Sequence, residues 1–338
     1  MNAKERVLRT LEFQKPDRVP RQLWTLPWAH MHYQADIDRI LRDFPEDFAT
    51  APAFYRDPPR VTGDPTMPGD FTDEWGCTFH NIHEGIIGEI KEPLIGGEEY
   101  EDLDKLVPPV EELSLDIDQV NAWCREHRDS FIVPGYCARP FERMQFLRGT
   151  EQFFYDLALR PDGLYEALNR VHSHQVKVLE LWAKTDVDAL FYMDDWGAQI
   201  SLLIKPETWV ELFKPMYKDY IDIAHAAGKK IFMHSDGFTL AIIPHLIELG
   251  LDAMNTQIFC IGLDKLEQFK GQITFWGEMD RQHLLAGEAT PADVEAAVHR
   301  VKDALWQDGG CIAQCEFGPG GKPENVYAVY DTWNSIQV

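Results

Sequence analysis

The 338-residue chain carries 56 acidic against 32 basic side chains, a formal net charge of −24. That surface repels polyanions, which excludes nucleic acid and anionic membranes as partners, because both are held through Lys and Arg on phosphate. Hydrophobic residues at 45% and charged residues at 26% fit a soluble globular chain with a large core; the charged opening MNAKERVLRTLEFQKPDRVP lacks a signal-peptide core, and no apolar run approaches the ~20 residues of a membrane span. A cytoplasmic protein is expected.

AKERVLRTLEF predicts a short amphipathic helix, stopped at Lys15-Pro16-Asp17 because Pro cannot continue it. Arg18–Leu26 predicts a strand, and the alternating stretch Thr72–Pro93 predicts a β-hairpin excursion. Residues 1–110 otherwise read as an irregular N-terminal extension, closed by Pro108-Pro109. From Glu111 onward short apolar runs alternate with helical stretches. The predicted strands are Ser130–Cys137, Ala189–Gly197, Lys230–Gly237, Ala253–Ile258, Ile273–Met279 and Cys311–Gly318, with helices over 150–184, 206–227, 238–249, 264–269, 291–306 and 324–337. Pro206-Glu207 and Thr290-Pro291 mark helix starts, and Gly228 and Gly250 mark ends. Apolar strands between amphipathic helices imply an α/β protein with a parallel sheet covered on both sides. No GxGxxG or GxxxxGK[ST] follows a strand, which counts against a nucleotide-binding doubly wound sheet. The expected fold is therefore a (β/α)8 TIM barrel with an N-terminal extension and the hairpin excursion, one domain over 1–338.

A barrel assembles its active site at the C-terminal strand ends, and five ends here are polar. They are Asp194-Asp195-Trp196, His234-Ser235-Asp236, Asn255-Thr256-Gln257, Glu278-Met279-Asp280-Arg281 and Gln314-Cys315-Glu316-Phe317. His234 and Asp236 stand at i and i+2, so a strand turns both to one side. With Cys315 arriving across the closed barrel, they form a candidate zinc set; a buried structural Cys and a salt-bridged Asp are the plainer alternative. The remaining cysteines, Cys77, Cys124, Cys137, Cys260 and Cys311, form no CxxC pair and read as buried small side chains. Glu278 is a candidate fourth ligand or general base. Asp194 and Glu316 are further catalytic candidates, and the choice between the adjacent Asp194 and Asp195 stays open. Trp24, Tyr192, Trp196, Trp276 and Phe317 are candidate aromatic walls, Gln257 a polar contact, and Arg139 a carboxylate-binding residue.

RVLRTLEFQKPDRVP, DEWGC with GEIKEPL, LLIKPETWVELFKPMYKDYIDIAHAAGKKIFMHSDG, IIPHLIELGLDAMNTQ and GPGGKPENV resemble the uroporphyrinogen-decarboxylase-like superfamily over nearly the whole chain. The chain looks more like the corrinoid-linked methyltransferases of that superfamily than like its decarboxylases, whose arginine-rich signature is not evident around Pro20-Arg21-Gln22. In the methyltransferases zinc is held by an H-x-C motif and by a second Cys before a P-x-E-N helix. His234 matches the His and Cys315 the second Cys, whereas Asp236 replaces the first Cys. The resemblance implies a zinc-dependent methyltransferase that moves a methyl group from a small methylated substrate, an aromatic methyl ether being one candidate, to cobalt. A carboxylate in place of one thiolate makes the zinc a stronger Lewis acid, which favours an oxygen-bound methyl donor. The corrinoid would come from a separate partner protein, since no D-x-H-x-x-G motif is present. A homodimer is one assembly open to the chain. The alternative is a metal-independent decarboxylase of a carboxylated substrate, and a third reading is a barrel without catalysis.

Overall fold

The computed structural model describes residues 1–85 and 88–338; positions 86–87 of the excursion lie outside the described residues. Eight parallel strands run β1 (Arg21–Thr25), β2 (Phe48–Ala51), β3 (Phe131–Pro134), β4 (Ala189–Met193), β5 (Lys230–Ser235), β6 (Ala253–Thr256), β7 (Thr274–Glu278) and β8 (Cys311–Phe317). Six of them pair in the order β1-β8-β7-β6-β5-β4, and β2 pairs with β3. Backbone hydrogen bonds close the ring, from Asp47 N to Arg21 O at 3.0 Å and from Asp188 N to Ile132 O at 2.7 Å. The expected (β/α)8 architecture is present.

The barrel interior is filled, as its strand alternation demands. Phe48, Phe131, Val133, Ala189, Phe232, Ala253, Trp276 and Ile312 point inward, and the N-terminal helix Ala3–Leu11 adds Val7 and Leu11 to the same cluster. A larger core lies between the strands and the surrounding helices. The excursion is a three-stranded antiparallel sheet (Gly69–Thr72, Thr78–Asn81, Glu89–Ile90) and not a simple hairpin. Buried Arg143, on the helix Pro140–Arg148, ties it down through Asp73 and through Glu74 at 3.0 Å.

Three differences from the expected elements have local causes. The stretch 150–184 is two helices, Thr150–Leu159 and Asp162–Trp182, because Arg160 is left-handed (φ 59°) before Pro161, and proline disfavours the α region in the residue ahead of it. The stretch 206–227 likewise divides into Pro206–Leu212 and Lys214–Ala226, with Pro215 in the new first turn. Strand β2 and the helix Pro27–Asp43 lie where the sequence reads as irregular. The loops after β4 and β5 cross so closely that a Cβ on Gly197 would lie 2.2 Å from Phe238 N. That crossing fixes the segment carrying Asp195 against the one carrying Asp236.

Candidate active site

Strand alternation sorts the candidate residues into two groups. Facing the barrel mouth are Trp24, His234, Asp236, Gln257, Glu278 and Glu316, together with Asp195. His234 is buried, and Trp24 lies 5.3 Å from its ring. Asn255 Nδ2 donates to Trp276 O at 2.8 Å, which leaves Asn255 Oδ1 to accept from His234 Nδ1 at 2.6 Å. Nε2 then faces the carboxylates, 3.5 Å from Asp195 Oδ1 and 3.8 Å from Asp236 Oδ1. Ligand atoms of Asp195, His234 and Asp236 all lie within 4.8 Å of one another. Burial opposes charge on the imidazole, but the bond to Asp195 and the charges of Asp236 and Asp195 override it and raise His234 to about 9.

The second group faces the helices, and five expectations are corrected there. Cys315 neighbours inward-facing Glu316 and so points outward, where its Sγ lies 3.4 Å from Tyr330 OH. Burial pushes that thiol up to about 12, and it is not one of the clustered donors. Asp194 is also turned away, accepting from Glu142 N at 2.8 Å and from Tyr217 OH at 2.6 Å. Burial holds its carboxyl well above the usual range. Tyr192 packs 4.6 Å from the Tyr217 ring, and Trp196 stacks at 4.0 Å on Phe141 while donating to Tyr217 OH. Phe317 is fully buried and stacks on Tyr33 at 5.6 Å. These side chains fill the layer between sheet and helices instead of lining the mouth.

Arg281 gathers the remaining acids. Its guanidinium lies 2.6 Å from Glu278, 2.6 Å from Asp236 Oδ2 and 2.5 Å from Glu316. It opens a π-helical turn, Arg281–Leu285, a rare element frequent at functional sites, and Asp280 caps that turn by accepting from Gln282 N and His283 N. Glu278 is raised to about 8, chiefly by burial and then by Asp236. One cavity borders this cluster and a second lies over the ends of β2, β3 and β4. The first, of about 340 Å³, is lined by Gln257, Cys260, Glu278 and Arg281; the second, of about 490 Å³, is lined by Tyr55, Tyr136, Arg139 and Phe191. Gln257 Oε1 also accepts from Gly237 N at 3.1 Å.

Sequence reasoning singles out neither Asn255, which orients the imidazole, nor Asp195 as the inward member of its pair. Strand register carries the missing signal for Asp195. Met193 pairs with His234 in parallel strands, so two residues further on Asp195 stands beside Asp236.

A family model described as uroporphyrinogen decarboxylase (URO-D) matches residues 72–336. The chain belongs to the uroporphyrinogen decarboxylase family. No curated protein matches it in sequence. Among solved structures, a methyltransferase from Methanosarcina mazei superposes on this family member with a TM-score of 0.71 at 14% identity, covering 99% of this chain and 98% of that one; at that identity the likeness speaks for the fold. A B12-independent methionine synthase from Shewanella sp. W3-18-1 (TM-score 0.46, 12% identity, 95% and 94% covered) and an endo-beta-1,4-xylanase from Gloeophyllum trabeum (0.45, 11%, 94% and 96%) share barrel features too distantly to carry an argument. Among the described residues no helix is long and apolar enough to cross a membrane.

Proposed function

We propose that the chain is a methyltransferase taking a methyl group from a small methylated substrate, such as an aromatic methyl ether, to the cobalt of a corrinoid on a separate protein. Zinc would be held by Asp195, His234 and Asp236. The observation that carries the proposal is this three-donor cluster at the mouth of a barrel of the uroporphyrinogen decarboxylase family. The activity named for the Methanosarcina mazei protein agrees with it.

The donors suit a divalent ion. One imidazole nitrogen and two carboxylates form an N,O set that zinc accepts while leaving a position for substrate. Asp236 Oδ1 is buried without a hydrogen-bond partner, an acceptor left for a cation. The outward Cys315 supplies no thiolate to this set. When bound, zinc supplies Lewis-acid polarisation of the substrate oxygen. Asn255 fixes the imidazole so that Nε2 faces Asp195 and Asp236 and would be free to hold zinc, the outer-shell role that holds metal-binding histidines in one tautomer. Arg281 holds Asp236 by Oδ2 and leaves Oδ1 free. Glu278, protonated below about pH 8, is the group able to give a proton to the departing oxygen. Trp24 packs against the imidazole.

The test combines the purified chain, a methoxyarene and a reduced corrinoid protein, following the cobalt absorbance. Methyl-cobalt formation by the wild type, lost together with bound zinc in His234→Ala, is the expected result. A metal-free wild type that releases carbon dioxide from a carboxylated substrate would establish the decarboxylase reading instead.

A further inference from the structure

We infer that the 490 Å³ cavity over the ends of β2, β3 and β4 is an anion subsite, and that the substrate is an aryl carboxylate whose carboxylate sits on Arg139. This rests on the reading of the barrel mouth as the substrate site and adds a substrate class to it.

Arg139 follows the end of β3 and lines the cavity with Tyr55, Tyr136 and Phe191. Its Nη2 meets only two sulfur atoms, Cys137 Sγ at 3.1 Å and Met193 Sδ at 3.0 Å, and sulfur is a weak acceptor. Among the described residues no carboxylate lies within ion-pair distance of it, whereas the buried or half-buried Arg6, Arg18, Arg143, Arg148 and Arg281 each have one, and buried Arg21, which also lacks an ion pair, is completed by the oxygens of Pro45 and Asn334. Glu142 and Asp194 act on this guanidinium only from beyond ion-pair distance, so its N–H groups still lack an oxygen acceptor, a cost that a bound anion would remove. The acids of the same wall are already matched, Glu74 to Arg143 at 3.0 Å and Glu112 to His174 at 2.7 Å.

The cavity otherwise offers donors and flat apolar faces. Among the described residues the Tyr55 and Tyr136 hydroxyls have no hydrogen-bond partner, and burial raises both phenols, so they stay protonated donors. Arginine pairs a carboxylate through two parallel N–H bonds, and the rings of Tyr55, Tyr136 and Phe191 suit an aromatic body. The volume falls in the usual range for small-molecule sites. Met193, touching Arg139, faces the same side of its strand as Asp195. A carboxylate on Arg139 therefore points the rest of the molecule toward the Asp195, His234 and Asp236 cluster.

Titration calorimetry on the full chain with benzoate and with benzamide, its neutral counterpart of the same shape, tests this. The wild type is expected to bind benzoate at least about tenfold more tightly, a difference of about 1.4 kcal/mol. Arg139→Gln should lose the preference and Arg139→Lys should keep part of it, with zinc content unchanged in both. Equal binding of the two probes by the wild type, no binding of either, or a preference surviving in Arg139→Gln overturns the inference. The wild-type comparison decides the matter by itself if a variant fails to fold. A zinc-loaded wild type with no preference for benzoate sinks this inference alone; a wild type that prefers benzoate but binds no metal sinks the methyltransferase reading alone.

Discussion

The two walls of the barrel mouth settle their charges in opposite ways. On the β5–β8 side acceptors are in excess, since Asp236, Glu278 and Glu316 share one guanidinium, that of Arg281. On the β2–β4 side the unpaired group is a donor: Arg139 meets only sulfur at hydrogen-bond distance, while the carboxylates lining that cavity, Glu74 and Glu112, are held by Arg143 and His174. The acceptor wall suits a cation, and the donor wall suits an anion. The His234 cluster lies between them, so a bound molecule is oriented by the polarity of the mouth before any chemistry begins.

The sharpest way to break this contrast is to compare two neighbouring aspartates. Asp195→Asn is expected to lower methyl transfer by roughly 10²-fold or more, since it removes charge from the donor set, and to leave the melting temperature nearly unchanged. Asp194→Asn should do the reverse. It weakens the acceptor for Tyr217 OH and Glu142 N, costs about 1–3 kcal/mol by thermal or denaturant unfolding, and keeps the activity per folded molecule. Equal losses of activity in the two would erase the distinction between inner and outer faces.

Asn255→Ala comes next, with zinc affinity falling roughly 10–100-fold in competition with a chromogenic chelator, the usual cost of losing an outer-shell partner. Glu278 provides a pH test in metal-free protein. Its folded pKa, about 8, lies above the ordinary 4.5, so its contribution to stability is fully present below about 4.5 and is lost as pH rises through about 8. Glu278→Gln keeps the neutral form and should flatten that part of the melting-temperature profile; an unaltered slope would count against a protonated Glu278. The smallest effect is expected of Cys315→Ser. With its partner Tyr330 outside the mouth, zinc content should not change, and stability should fall by about 1 kcal/mol.

Much of this mouth is legible in the sequence. His234 and Asp236 share a face through their i, i+2 spacing, and the polar strand ends do gather at one rim. The same alternation separates Cys315 from Glu316, a consequence that motif matching obscures because it weighs residue type and distance from Pro323-Glu324-Asn325 without strand direction. Aromatic residues are harder. Trp24 reaches the mouth while Trp196 packs on Phe141, and only their position relative to the pleat tells them apart. Strand β2 is four residues, Phe48–Ala51, too short to show a period. The π-helical turn after β7 and the Arg281 clamp depend on contacts between strands far apart in the chain, which local pattern does not encode.

Diffraction at the zinc edge from crystals of protein purified without chelators tests the donor set. One anomalous peak is expected, bound by Asp195, His234 Nε2 and Asp236 Oδ1, with Cys315 Sγ still against Tyr330. A peak coordinated by Cys315, or a fully folded, active protein with no peak at this cluster, would contradict it.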